Sequence, residues 1–321
     1  VSDMTTNSVP RAVHPRSIAR LVLSVPIAYA GTAALLAFAY VARPALVSPV
    51  LLLLIVRQAA PLAIAVLGQS LCMRVLSLDL SIGGVILSVS YILTSGILKF
   101  PEPVLLIICV LFGAAVGAAN AFFITRIRAS SVIVTLATAL ILSGVVFSLS
   151  QLRAPGEAPA ILRYIGQTRI GIVPISPLFW LAIFLPVALF LRMSVFGRYV
   201  DAIGANPRAA LISGIPYVRI VTITHILSSI LAVFSGFVLV GFVGAGSLDI
   251  GRDLPLTSLV AVILGGVTFG SGKGGSLGPA VAAFMLTFSF NLLTSLGIGE
   301  PGKLMLQGAI IALAATRRNP D

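Results

Sequence analysis

Apolar runs long enough to cross a bilayer recur along almost all of this 321-residue chain and leave few folds open to it. A membrane-spanning helix needs about 20 consecutive, mostly apolar residues. The runs at 21–42, 58–77, 82–98, 103–125, 132–150, 173–191, 218–243, 254–269, 276–296 and 303–316 read as ten such spans. Hydrophobic residues make up 58% of the chain and the mean hydropathy is +1.12. Charged residues make up only 9%, against roughly 25% in soluble domains. The expected fold is all-α, a polytopic helical membrane protein of about ten transmembrane helices.

Two stretches depart from a simple span. Residues 46–57 are apolar but too short to cross alone beside Arg57 and Gln58, which predicts an interfacial or re-entrant piece. The span at 254–269 has Pro255 near its start and Gly265-Gly266 near its end, which predicts a broken helix. Near the N-terminus, Ala28-Tyr29-Ala30 has the small-x-small look of a signal-peptidase site. The apolar run continues through it to Ala42, so 21–42 reads as a retained first helix.

The net charge of +12 could suggest nucleic acid, but the basic residues are spread along short loops and read as topology signals. With the N-terminus inside, ten spans return the C-terminus inside. Arg74, Arg126, Arg128, Arg192, Arg198, Arg208, Arg219 and both terminal clusters then face the cytoplasm, the modest bias expected of the positive-inside rule. The expected organisation is a cytoplasmic tail at 1–20, a membrane body at 21–316 with a cytoplasmic loop at 192–218, and a tail at 317–321. The longest outer connection, 151–172, is sized for a cap or short surface helix. An even number of spans would permit an inverted repeat, but none is visible in the residues.

The 192–218 loop carries its own helix signals. Asn206 suits an N-cap, Pro207 the first helical position and Gly214 the left-handed residue past the end. A short, well-capped helix on the basic side of a membrane protein is built to be gripped by a partner.

Other motifs exclude chemistry. Gly270, Gly272 and Gly275 match G-x-G-x-x-G in form, but the stretch lies between two spans with no preceding strand. Val267 and Gly274 break the P-loop pattern around Lys273, so a tight hairpin is expected and no ATP site in this chain. Cys72 and Cys109 fall inside apolar runs as small buried residues, with neither a disulfide framework nor metal-ligand spacing. His225 lies inside the seventh span with no acid between 202 and 248, so a structural histidine is expected rather than a proton relay. Asp79 sits where the second span ends, expected either to cap the third span or to belong to a gate. Asn120, Thr135, Thr138 and Asn291 suit either close helix packing or a hydroxyl-rich passage, and Gly113-x-x-x-Gly117 suits packing. Scarcity of intramembrane charge argues against an ion-coupled carrier. No catalytic constellation exists, so an enzyme is not expected.

Four of these pieces, in order, resemble the ribose-type membrane permeases of bacterial ABC importers over about 50–315. They are Asp79-Leu80-Ser81-Ile82-Gly83; Gly117-Ala118-Ala119-Asn120-Ala121 through Arg126 to Val134-Thr135-Leu136-Ala137-Thr138; Gly197-Arg198 through Ala202-Ile203-Gly204-Ala205-Asn206 to Ser213-Gly214-Ile215; and Ala261-Val262-Ile263-Leu264-Gly265-Gly266. The resemblance implies a permease in the bacterial inner membrane, importing a monosaccharide or similar small polar solute. A nucleoside, a branched-chain amino acid or a signalling furanose is the alternative cargo. Implied partners are a cytoplasmic ATPase that binds the ATP, a periplasmic or lipid-anchored solute-binding protein, and a second permease copy or paralogue. On this reading 206–213 is similar to a coupling helix, with Arg198, Asp201, Gly204, Asn206, Ala209, Ala210 and Gly214 at the ATPase contact. Asp79, Ser81, Gly83, Asn120, Thr135, Gly265, Gly266 and Asn291 are the residues expected at the gate and path. The family's acidic pair before its "A-V-x-L-G-G" piece is missing here, where Leu254-Pro255-Leu256-Thr257-Ser258 stands; Asp249 or Asp253 would substitute.

Overall fold

The computed structural model describes residues 26–150, 155–267 and 274–316, which hold thirteen α-helices. These are α1 (Ile27–Ala42), α2 (Pro49–Arg74), α3 (Ile82–Thr94), α4 (Glu102–Thr125), α5 (Ser131–Ser150), α6 (Ala160–Gln167), α7 (Ile175–Met193), α8 (Val195–Ala205), α9 (Pro207–Ile212), α10 (Tyr217–Val243), α11 (Leu254–Leu264), α12 (Leu277–Ser295) and α13 (Gly299–Thr316). A two-residue hairpin, β1 (Arg169–Ile170) with β2 (Val173–Pro174), follows α6. The G-x-G-x-x-G stretch with Lys273 lies largely outside the described residues, as do the N-terminal arginines and the start of the first span.

Six of these helices, α2, α4, α5, α7, α10 and α12, are long and apolar enough to cross a membrane. α1, α3 and α11 are shorter apolar helices. The predicted interfacial piece at 46–57 is not separate: Pro49 starts a single 26-residue helix that runs through Arg57, Gln58 and Pro61 to Arg74. Arg57 is tolerated because it is partnered. Its Nε donates to the Gly166 carbonyl at 2.8 Å, and its guanidinium lies 4.8 Å from the centre of the Phe242 ring. In the outer connection, α6 is the expected surface helix. Its N-cap position is Pro159, which offers no side-chain acceptor, so the Glu102 carboxylate on α4 accepts from the Ala160 and Ile161 N–H groups instead.

The core is the antiparallel pair α2 and α10. Ser235 donates to the Pro61 carbonyl, Gly68 packs on Ser228, and Cys72 lies 3.9 Å from His225. α4 closes on α10 through the expected small-residue pair: a Cβ on Gly117 would stand 2.5 Å from the His225 carbonyl oxygen. Only glycine permits that backbone approach.

Helix lengths then repeat along the chain. α2, α3, α4 and α5 have 26, 13, 24 and 20 residues; α10, α11, α12 and α13 have 27, 11, 19 and 18. Because α2 and α10 run in opposite directions, the second series is inverted relative to the first, the arrangement the residues themselves did not reveal. In each series the second helix is too short to span, about 20 Å for α3 and about 16 Å for α11 at 1.5 Å per residue. Each is preceded by non-helical chain, 75–81 and 244–253, and the two short helices begin side by side: a Cβ on Gly83 would stand 3.0 Å from Pro255 Cγ. The predicted broken helix is thus α11, ending at Leu264 before the Gly265-Gly266 turn. α3 is a second one that the sequence reading gave as a full span to residue 98.

Candidate functional site

Three groups of polar residues stand out, at the end of the bundle that carries the 192–218 loop, in its middle, and towards the opposite end.

At the loop end, Ser194 caps α8 by accepting from the Gly197 N–H at 3.1 Å, and Asn206 caps α9 by accepting from the Ala209 N–H at 3.0 Å. α9 closes with two bonds, Gly214 N–H to Leu211 O and Ile215 N–H to Ala210 O, which require the left-handed conformation that Gly214 adopts at φ +78°. Val200, Ile203 and Ala210 pack beneath, against Val75, Ile220 and Val221. Gly204 is buried there, while Arg198, Asn206, Arg208 and Ala209 are exposed. Leu211 is 56% and Ile212 84% exposed, an apolar tip that the chain itself leaves uncovered. Asp201 accepts from Arg74 at 2.5 Å, tying α8 to the last turn of α2. Arg74, read from sequence only as a topology signal, is buried at 6% side-chain exposure. We expect Asn206→Ala to destabilise α9 by about 1 kcal/mol. Amide exchange at 209–212 then speeds about fivefold, measurable by mass spectrometry.

In the middle, the 75–81 segment turns inward after α2, with Leu76 at φ +60°. Asp79 is wholly buried. Its Oδ1 accepts from the Ser81 N–H (3.0 Å) and Ser81 hydroxyl (2.5 Å), and its Oδ2 from the Ser228 hydroxyl (2.7 Å). Asn120 donates to Ser81 Oγ at 3.0 Å and accepts from Thr138 at 2.7 Å. Thr135 Oγ1 accepts from the Leu80 N–H at 3.0 Å, and Ser131 Oγ from the Leu78 N–H at 3.1 Å. Ser77 and His225 Nε2 share a hydrogen bond of 2.8 Å. The expected cap role of Asp79 is corrected: no side chain caps the first turn of α3, and the carboxyl holds Ser81 and α10 instead. The network joins the 75–81 segment to α4, α5 and α10 and satisfies the backbone groups that an unwound segment exposes. Asn120 and Thr135 are buried within it.

His225 is hydrogen-bonded, as expected of a structural histidine. No acid is near it in sequence, yet Cys72, Asp79 and His225 place their ligand-type atoms within 4.8 Å of one another. Spacing along the chain gave no sign of that set, because α2, the 75–81 segment and α10 each contribute one member. Each member already has a hydrogen-bonding or close polar partner in the protein.

Asn291, Gly265 and Gly266 lie elsewhere. Gly265 packs against the backbone of Gly278 and Pro279 at the start of α12, and Gly266 (φ +86°) lies against Pro26. Asn291 donates to Gln58 Oε1 at 2.9 Å and lines a cavity of about 290 Å³ bounded by α2, α11, α12 and α13. Gln58, Asp253, Thr257 and Gln307, which the sequence reading did not group with it, share that cavity.

A bundle of apolar helices with two unwound, hydrogen-bonded breaks and one projecting loop is the architecture of a helical membrane protein. The chain belongs to the family described as the branched-chain amino acid transport system / permease component, whose profile matches residues 51–315. It is 28% identical over 261 residues to the probable ABC transporter permease protein y4mJ of Sinorhizobium fredii, covering 81% of this chain and 77% of that protein. It is 26% identical over 271 residues to the autoinducer 2 import system permease protein LsrD of Escherichia coli K12, covering 80% of this chain and 81% of that protein. No solved structure matches the chain.

Proposed function

We propose that this chain is the membrane subunit of a bacterial ABC importer, a passive gated channel in the inner membrane with both termini in the cytoplasm. It works with a cytoplasmic ATPase, which binds the ATP, with a periplasmic or lipid-anchored solute-binding protein, and with a second copy of itself or a paralogue. The solute is a monosaccharide or similar small polar molecule. The name of y4mJ supports the ABC permease class, and that of LsrD the importer direction.

The observation that carries the reading is α9. Its caps make it rigid, Ala210 anchors it, and its free side offers Ala209 with the apolar tip of Leu211 and Ile212. Arg192, Arg198, Arg208 and Arg219 are exposed around it, as the positive-inside rule asks of a cytoplasmic loop. A rigid peg of this kind suits a groove on the ATPase. The Arg74–Asp201 contact offers a direct route from that peg to α2 and the 75–81 segment. The test is affinity purification in mild detergent from the native host. A stoichiometric ATPase is expected with the parent chain and is lost in Ala209→Glu. A chain that carries no ATPase, yet moves solute in proteoliposomes under an ion gradient, would overturn the proposal.

A further inference from the structure

The two inverted halves treat their broken helices differently. In the first, Asp79 precedes α3 and each of its oxygens is occupied by serine donors. In the second, Asp253 immediately precedes α11, and its side chain makes no cap and no ion pair among the described residues. It faces the 290 Å³ cavity instead.

The rest of the lining is unusual for a membrane bundle. Gln58, Thr287, Asn291 and Thr294 bring amides and hydroxyls, while Leu62, Leu254 and Phe290 bring apolar surface. Lys303 is engaged, bonded to Glu300 at 2.8 Å and lying 5.7 Å from the centre of the Phe290 ring. The Asn291 amide nitrogen already bonds Gln58 and Thr287, and the Thr287 and Thr294 hydroxyls bond their own helix, so the groups left to a ligand are the Asp253 carboxylate, the Gln58 amide nitrogen, the Asn291 amide oxygen and the Phe290 ring. Carboxylate and amides bond vicinal hydroxyls, and the ring suits the C–H face of a small cyclic polyol. A zwitterion would need a free cation beside Asp253, and Lys303 is already paired. The volume lies at the small end of ligand sites. On the same face of α2, seven residues past Leu62 and about 10 Å further in, Gln69 is wholly buried with both amide atoms unpartnered among the described residues. Such an amide is costly unless something bonds it.

We propose that this cavity is a solute-binding station of the permease for a small, uncharged, hydroxyl-bearing molecule, with Asp253, Gln58 and Asn291 as its polar contacts and Gln69 as the next polar group along the way in. This rests on the permease reading and adds the place and the chemistry of recognition.

The test uses Thr294→Cys, a lining position outside the three polar contacts, in the full chain, in detergent, labelled by a water-soluble methanethiosulfonate. Cys72 and Cys109 are both buried, so the parent chain supplies the blank. D-ribose and L-leucine are the probes. D-ribose at about ten times its half-protecting concentration should slow labelling about tenfold by mass action. Adding Asp253→Asn should raise the half-protecting concentration about tenfold or more, as for a hydrogen bond to a charged group. Labelling of Thr294→Cys that D-ribose does not slow, or that L-leucine slows equally, overturns the proposal. So does protection that survives Asp253→Asn unchanged. Failure of the importer reading would show separately, as absence of the ATPase in the purification, because the labelling needs no ATPase.

Discussion

Asp79→Ala is expected to destabilise the protein by about 3–5 kcal/mol, because it leaves several buried donors unpaired at once. The Ser81 N–H, the Ser81 hydroxyl and the Ser228 hydroxyl all bond this carboxyl, and all lie where neither water nor lipid replaces it. The loss spreads, since Ser81 Oγ also receives Asn120, which in turn receives Thr138. The 75–81 segment would then keep only the Ser131 and Thr135 bonds to α5 and the Ser77–His225 bond to α10. Thermal unfolding in detergent, followed by intrinsic fluorescence, checks this. Asp249→Ala is the control: that carboxylate is 83% exposed and pairs only with an exposed Arg252, so its loss should change stability by less than about 0.5 kcal/mol. Equal midpoints for the two variants would mean that the Asp79 network does not hold the break in α3.

Gly117→Leu is expected to cost at least about 3 kcal/mol, the upper part of the range for overpacking. A Cβ there would meet the His225 carbonyl oxygen at 2.5 Å and Ile226 Cα at 2.7 Å, both backbone atoms of α10 that cannot turn aside. Relief requires α4 to move away from α10, which carries Asn120 off Ser81. The readout is the fraction of extracted protein in a monodisperse peak on size-exclusion chromatography. Gly144→Ala, on the outer side of α5 with nothing within 4 Å of the added carbon, should leave that fraction unchanged. A normal peak for Gly117→Leu would show that the α4–α10 approach is not required.

Much of the 192–218 loop is legible in sequence because its signals are local. Asn206, Pro207 and Gly214 act on the backbone within a few residues, and capping chemistry depends on little else. What the loop grips inside the bundle is not local. Arg74 stands 127 residues before Asp201, and nothing in either neighbourhood marks the pair. The misread stretch at 46–57 has a similar cause. Arg57 and Gln58 look like a boundary when the chain is read alone, and Arg57 is acceptable in a helix only because Gly166 and Phe242 meet it from α6 and α10.

The sequence by itself determined the class of protein. Apolar runs of this length and number can bury their backbone polar groups only as membrane helices, and four ordered motifs pointed to a permease family. Tertiary structure alone decided which polar residues work together. Asn120 and Thr135 join the network around Asp79, and Asn291 lines a cavity with Asp253, 38 positions earlier and just before another helix. The physical reason is that an apolar helix offers similar hydrophobicity on every side. Only packing against its neighbours settles which face meets protein, lipid or solute.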